Sequence, residues 1–490
     1  MHDAMRLSFS RLSSTSCLKI SVCVVLRNAP GPWGVHPDTA MTARGTEESH
    51  MERIAIVGAG TAGLHLGLKL LSHGVPVTIY TEQEPSRLRV SRLLNTVAHH
   101  APTRMRERIL GVDHWSGPNA DMFYIGIHVN GGPHPFSLRG RLDSPTIFVD
   151  YRQYQPRLAE DFVARGGKLE VLPVDLDVLE RLAQQHALMV VATGRNGLTR
   201  LFPRVPALSP HTQPPRMLFA ALLKGVRMQE PIGMNANLIP GQGEIFESQV
   251  VTADGRVPSV LIEALPGSEL SRLSTQRYDE DPRAFEAMLM NFLRRFAPTT
   301  YERVDSASFG VRGPMDYLQG SFTPTVRQGW APLSNGRFAL AVGDTHVTND
   351  PVAGQGANAG SASAFALAEH IVTALADNRP FDEVFCREAE AGSWAATAPA
   401  THWTNTLLQP PPPHVIDLLA AGSKDARVAD AIATAFVTPE LILSACASPE
   451  NSAAFIARHR PMVREAAPPP SPLAWHPPPE EPKVTVSLTR

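Results

Sequence analysis

Arg53-Ile54-Ala55-Ile56-Val57-Gly58-Ala59-Gly60-Thr61-Ala62-Gly63 is the stretch on which the fold turns. Arg53–Val57 is short, β-branched and ends in glycine, the pattern of a buried parallel strand. Leu64, Leu68 and Leu71 follow at helical spacing, with Leu66 and Leu70 beside them, and His73-Gly74 closes that helix. Val75–Tyr80 reads as the next strand, which completes a βαβ unit with a short return. In such a unit Gly58 allows the tight turn and Gly60 lets the backbone approach a pyrophosphate. Gly63 lets the helix pack on the sheet, while the N–H groups at Thr61 and Ala62 face the ligand. The motif alone says only "nucleotide". The second strand is expected to end on an acid that grips the adenosine ribose, but that position falls on Thr81, with Glu82 one residue later.

A second motif lies far downstream. Phe338–Val342 is another Gly-terminated strand, followed by Gly343-Asp344, then Asp350-Pro351-Val352-Ala353-Gly354-Gln355-Gly356-Ala357-Asn358 and a long helix over Ala357–Leu375. An isolated Gly-Asp would read as a helix cap. Behind a GxGxxG turn it matches the arrangement of glutathione-reductase-type flavoprotein hydroxylases. There the Asp holds the ribityl chain, and the next helix N-terminus faces the flavin pyrimidine, where negative charge develops on reduction. The pair points to FAD rather than NAD. No second GxGxxG follows a strand, so no NADPH domain is expected. The Asp-Gly motif of one-component aromatic hydroxylases is also missing, since that region reads Val191-Ala192-Thr193-Gly194-Arg195-Asn196-Gly197. Reduced flavin is therefore expected from outside.

Outward from these motifs the chain divides by composition. Residues 1–50 are expected to be a disordered leader or a mis-assigned start, with a targeting peptide as the alternative; the apolar run Leu18–Leu26 is too short to span a membrane. A discontinuous FAD domain is expected over 51–110, 140–200 and 300–385, and a substrate domain over 111–139 and 201–299. The stretch from about 205 to 270 is strand-like and turn-rich, and Asp281–Phe296 is helical with Phe285, Met288, Phe292 and Phe296 on one face. C-terminal helices over 386–465, interrupted at Pro410–Pro413, and a disordered Pro-rich tail over 466–490 complete the chain. The fold class is α/β: a Rossmann-like FAD-binding domain with a β-sheet substrate domain and a helical C-terminal part. Net charge is −2, which offers nothing to nucleic acid or an anionic membrane. Cys17, Cys23, Cys386 and Cys446 form no CxxC pair and no disulfide framework, which favours a reducing cytoplasm. No metal-ligand spacing is seen, and a homodimer is left open.

Several stretches together resemble the epoxidase component of styrene and indole monooxygenases: Gly58–Gly67, Arg92–His99 (RLLNTVAH), Asp150–Pro156 (DYRQYQP), Pro240–Glu244 (PGQGE), Tyr278–Phe285, Gly343–Asn358 and Trp403–Asn405. The Thr81-Glu82 departure is similar to the family too, which has Thr-Asp there. The resemblance implies an oxygenase component that takes reduced FAD from a separate NADH:flavin reductase. With O2 it would form a C4a-hydroperoxyflavin that epoxidises a small aromatic alkene such as styrene or indole. By position, Arg92 and Asn95 would lie beside the flavin, with Asn95 ordering the reacting groups. Pro351 and Val352 would close a face of the ring, while Gly354, Gly356 and Asn358 would belong to the flavin turn. Asn95, Val97 and His99 follow the styrene-type pattern. Phe123, Gly126 and Thr146 depart from it, which leaves the substrate open. The apolar pocket wall is expected from 205–265. A one-component hydroxylase and a non-catalytic flavin-binding protein are the alternatives. A flavin-dependent halogenase conflicts with the absence of two tryptophans spaced by one residue.

Overall fold

The computed structural model describes residues 54–130, 135–195 and 197–460. The expected leader and the Pro-rich tail lie outside the described residues. Ile54–Val57 occupies the middle of a six-stranded sheet, between Val77–Thr81 and Leu188–Val191, both parallel to it. All four of its residues are buried, because a central parallel strand is covered on both faces and needs a continuous apolar run. Phe338–Ala341 pairs in parallel beyond Leu188–Val191, and Lys168–Val171 beyond Val77–Thr81. An antiparallel strand, Trp330–Pro332, forms one edge. Three neighbouring strands thus run into Gly58, Gly194 and Gly343 at their carboxyl ends, which is where ligands bind in open α/β sheets.

The helix Thr61–Ser72 is buried almost all round, so Leu66 and Leu70 are as enclosed as Leu64 and Leu68, while Leu71 is only half-buried. The sheet covers one side, and the long helix Gly356–Ala376 covers another. Gly67 is required there, since a Cβ would sit 2.9 Å from the Phe162 ring. Gly356–Ala376 is, among the described residues, the one helix long and apolar enough to cross a membrane. In this fold it is a core helix, packed on Thr61–Ser72 and on Glu383–Leu407.

The second sheet has nine strands, with Met217–Lys224, Gly255–Ala264, Gly243–Thr252 and Gly233–Ile239 as an antiparallel meander. Its membership corrects the expected domain boundaries. Phe136–Phe148 crosses the line placed at residue 140 and belongs wholly to this sheet. Gly310–Val311 and Tyr317–Gly320, expected in the FAD domain, pair with Met217–Lys224. Ala98–His99 joins its far edge. Alternation within a strand shows which face is buried but not which sheet the strand joins. The helix Pro282–Phe296, capped by Asp281, covers one side of the meander with Phe285, Leu289, Phe292 and Leu293. Leu289 and Leu293 thus share the face expected for Met288 and Phe296.

Helices run from Glu383 to His459 and break at the prolines before Pro413–Gly422. The first begins at Glu383, three residues before the expected boundary, because the Asp382 side chain accepts from Phe385 N–H. The helix Ala426–Phe436 lies against the strand Phe136–Phe148 at Gly140, where a Cβ would stand 2.0 Å from the Ala429 carbonyl oxygen.

Candidate active site

A cavity of about 730 Å³ extends from the carboxyl end of the parallel sheet to one face of the nine-stranded sheet. At one end lie Gly58, Gly60, Thr61 and Ala62, with Thr81 and Glu82 at the end of the second strand. Gly58 has φ +116°, and a Cβ there would lie 2.3 Å from the Ala192 carbonyl oxygen. Gly63 is set back from the cavity and holds the helix close, since its Cβ would meet the Gly58 carbonyl oxygen at 2.1 Å. The space around Gly60 is open to within 4.0 Å. No side chain caps the N-terminus of Thr61–Ser72 or of Gly356–Ala376, so both present free N–H groups and positive dipole ends to the cavity. Thr81 Oγ1 donates to the Gln83 carbonyl at 3.2 Å, so towards a ribose it can only accept; Glu82 is exposed on the same rim with two carboxylate oxygens.

Asp344 lines the same end of the cavity. Burial raises its carboxyl above the ordinary range, and the Arg195 and Arg327 guanidiniums pull the other way. Beyond it Pro351, Val352, Gly354 and Gly356 form the cavity's next wall. Gly354 has φ +63°, the left-handed conformation that closes this turn. Behind the turn, Ala353 packs with Trp403 and Ile442, which gives the WTN stretch a structural task. The Asp350 side chain caps the turn by accepting from Val352 N–H at 3.1 Å.

Asp350 also meets a buried acid cluster. Glu263 is fully buried, and among the described residues neither of its carboxyl oxygens has a hydrogen-bond donor within reach. It can bond Asp350 only if one of the two carries a proton. Burial first, then the negative charge of Asp350, holds Glu263 well above the ordinary carboxylate range, so Glu263 carries the proton and donates to Asp350. Glu244 is instead paired bidentately with Arg216 at 2.8 and 2.9 Å. Glu244 and Glu263 face each other in the strand register, and each is two residues from a cavity-lining neighbour, Phe246 and Leu261 respectively. The acid cluster therefore continues the face that forms the apolar wall.

That wall is made by Leu218, Ala220, Met234, Phe246 and Leu261 of the meander, with Ser248 among them. Met122, Ile125 and Phe148 add a side, and Phe436 and Val437 from the C-terminal helices close another. Four buried polar atoms on residues of the cavity wall have no hydrogen-bond partner among the described residues: Thr61 Oγ1, Asn95 Oδ1, His100 Nε2 and Asn349 Nδ2. Orphaned buried polar atoms are rare in folded proteins and fit a site built for a polar ligand.

The structure brings Asn95 and Val97 to the cavity but places four other expected residues elsewhere. His99 points into the core, with Nδ1 2.7 Å from Glu107 and Nε2 2.8 Å from the Tyr151 hydroxyl. Burial alone would raise the Glu107 carboxyl, but the charge and hydrogen bond of His99 bring it below its usual value. Phe123 lies outside the cavity, under the Arg141 guanidinium, because the strand is irregular between Met122 and Tyr124, which turns Met122 and Ile125 inward and Phe123 out. Arg92 is exposed and stacks on the Tyr317 ring at 4.2 Å. Asn358 is a buried brace that accepts from His100 N–H and Thr103 Oγ1 and donates to the carbonyls of Ala98 and Gly354. Residues that sequence reading missed include His100, Ser248, Phe436 and Val437. A hint existed only for the meander, through its strand alternation.

The DYRQYQP stretch also becomes intelligible. Asp150 caps the helix Tyr151–Ala164, and Arg152 bridges Asp150 and Asp316 at 2.6 and 2.7 Å, which ties the helix to the loop before Tyr317–Gly320. Tyr151 and Gln155 reach the cavity. A family model for a styrene monooxygenase A substrate-binding domain matches residues 194–303. The styrene monooxygenase StyA of Pseudomonas fluorescens is 38% identical over 417 residues, which cover 84% of this chain and 99% of that protein. The StyA of a further Pseudomonas sp. is 37% identical over the same extent.

The chain belongs to the styrene monooxygenase family.

Solved structures agree at the level of fold. The flavin-dependent brominase Bmp2 is 14% identical, covering 83% of this chain and 99% of its own, with a TM-score of 0.57. The p-nitrophenol 4-monooxygenase PnpA of Pseudomonas putida DLL-E4 is 15% identical, covering 80% and 99%, with a TM-score of 0.54. This member of the family is an FAD-dependent monooxygenase, and the residues present fit its cofactor. The open glycine turn, the two uncapped helix ends and the unpaired wall atoms line one continuous space.

Proposed function

We propose that this chain is the oxygenase that receives reduced FAD from a separate flavin reductase and epoxidises the double bond of a small aryl alkene such as styrene or indole. The observation that carries the reading is a single cavity with two unlike ends, one made of backbone donors and Asp344, the other of apolar side chains. When bound, reduced FAD activates O2 and supplies the transferred oxygen atom, with water as the second product. The residues position and shield that chemistry. Thr61 and Ala62 at one helix end offer N–H groups to the pyrophosphate, and Asp344 accepts from the ribityl hydroxyls. Glu82, with two free-facing carboxylate oxygens on the rim, takes the ribose. Gly356 and Ala357 present the second helix end to the anionic side of the reduced ring. Pro351 and Val352 close a face of the ring, and Asn95 orders the reacting groups through its unpaired Oδ1. Phe246, Leu261 and Phe436 keep water out.

Cys386 and Cys446 are unpaired among the described residues, and burial pushes their thiols up to about 12 and about 11; such unreactive thiols support a reducing, cytoplasmic setting. The test supplies the protein with FAD, NADH, a flavin reductase and styrene or indole. Epoxide or indigo is expected. No oxygenated product from any aryl alkene would sink the epoxidase reading, and NADH oxidation without the reductase would sink the two-component one.

A further inference from the structure

His100 lines the cavity and is held in place on two sides, yet one of its hydrogen-bonding atoms is unused among the described residues. It is 5% exposed. Its backbone N–H donates to Asn358 Oδ1 at 3.0 Å, and its Nδ1 lies 3.0 Å from Thr146 Oγ1. Its Nε2 has no partner among the described residues, and the residue lines the cavity. The position is defined from both sides. A Cβ on Gly354, in the turn assigned to the flavin ring, would lie 3.7 Å from Nε2. Thr146, which steadies the ring, pairs across the strands with Met122, a residue of the apolar wall. The imidazole therefore stands where the cofactor end meets the substrate end.

Its chemistry is adaptable. Burial, with the charge of His99 behind it, lowers its pKa to about 3, so the ring is neutral and one nitrogen donates while the other accepts. The Thr146 hydroxyl can turn to donate or accept, so Nε2 can offer either an N–H or a lone pair. Of the other unpaired wall atoms, Asn95 Oδ1 only accepts and Asn349 Nδ2 only donates, while Thr61 Oγ1 can do either but stands at the glycine turn, away from the apolar wall.

We propose that His100 is the hydrogen-bonding anchor of the substrate chamber, and that it selects aryl alkenes carrying an N–H, O–H or ring-nitrogen group over plain styrene. The proposal rests on reading the apolar end as an aryl-alkene site. It departs from the expectation that His99 would face the substrate, since the adjacent residue does. A ligand that pairs Nε2 recovers the cost of leaving a buried nitrogen unsatisfied, whereas styrene cannot.

Equilibrium binding to the FAD-bound protein, read by perturbation of the flavin absorbance, tests this without turnover. The probes are styrene, indole (a donor) and 4-vinylpyridine (an acceptor). The unsubstituted protein is expected to bind indole and 4-vinylpyridine more tightly than styrene. His100→Leu should weaken both by about 10-fold, the scale of one buried hydrogen bond, and leave styrene within about twofold. His100→Gln, which keeps a donor and an acceptor, should restore most of the loss. Unchanged FAD affinity certifies each variant, and His100→Met replaces the leucine variant if that one fails to hold FAD. Equal weakening of all three ligands, or no change in any, overturns the anchor. If none of the three perturbs the unsubstituted protein, the aryl-alkene reading falls and takes the anchor with it. Absence of epoxide alongside normal binding would count against the proposed reaction alone.

Discussion

The two ends of the cavity are built on different principles. The nucleotide end is made of backbone: glycines with positive φ, uncapped helix ends and one buried acid, all supplied by two short contiguous stretches. The substrate end is made of side chains from strands and helices far apart in the chain, between Met122 and Val437. Backbone geometry tolerates almost no substitution, because a Cβ or a change in φ moves the main chain itself. A side-chain wall tolerates change at the cost of shape. The first end should therefore decide whether FAD binds, and the second what it acts upon.

Gly58→Ala is the most damaging test. The methyl group meets the Ala192 carbonyl at 2.3 Å and φ is +116°. Strain of ~1–3 kcal/mol together with the displaced strand end should weaken FAD binding on the order of 100-fold or more. A flavin fluorescence titration reads it, and near-normal affinity would break the claim that this end is set by backbone. Asp344→Ala comes next. Losing a charged hydrogen-bond partner worth ~1.5–3 kcal/mol should weaken FAD by about 30-fold, with substrate preference unchanged among the molecules that remain loaded.

Phe436→Ala inverts the pattern. FAD affinity should stay within about twofold, while the kcat/KM ratio between a bulky and a small alkene shifts by about 10-fold, as expected when a pocket wall is cut back. Parallel losses in FAD affinity and selectivity would show that the two ends are not separable.

The smallest effect sharpens their junction. Glu263 is held protonated by burial, so its folded-state pKa lies above its unfolded value. Its stabilising form is complete below the unfolded value and is lost as pH rises through the folded one. Glu263→Gln removes that loss while keeping a neutral donor to Asp350. The drop in Tm between pH 5 and pH 8 should be smaller in the variant, by on the order of 2 °C. An identical pH dependence would mean that the carboxyl is not protonated in the fold.

The same contrast explains what could be read early. Gly58, Gly60, Gly343 and Asp344 announce themselves because their roles follow from local conformation and order along the chain. The pairing of Ile54–Val57 between two later strands follows from its apolar run. His99 and His100 show the limit. Both are buried, they are adjacent, and only the packing of Glu107 and Tyr151 around the first leaves the second to face the cavity. Phe123 missed the cavity because the strand shifts register between Met122 and Tyr124, an irregularity that a plain alternation of faces does not foresee. Phe436 could not be named at all, since nothing local to it records that its helix lies across the strand Phe136–Phe148 at Gly140.

By itself, then, the sequence determined the βαβ start, the glycine turns and the family, because glycine turns, strand ends and helix ends are written in consecutive residues. The tertiary structure alone decided where one sheet stops and the next begins, which histidine lines the cavity and how an acid on the meander comes to lie against the turn at Pro351. Those outcomes depend on contacts between residues distant in the chain, whose energies are set by the space left after everything else has packed.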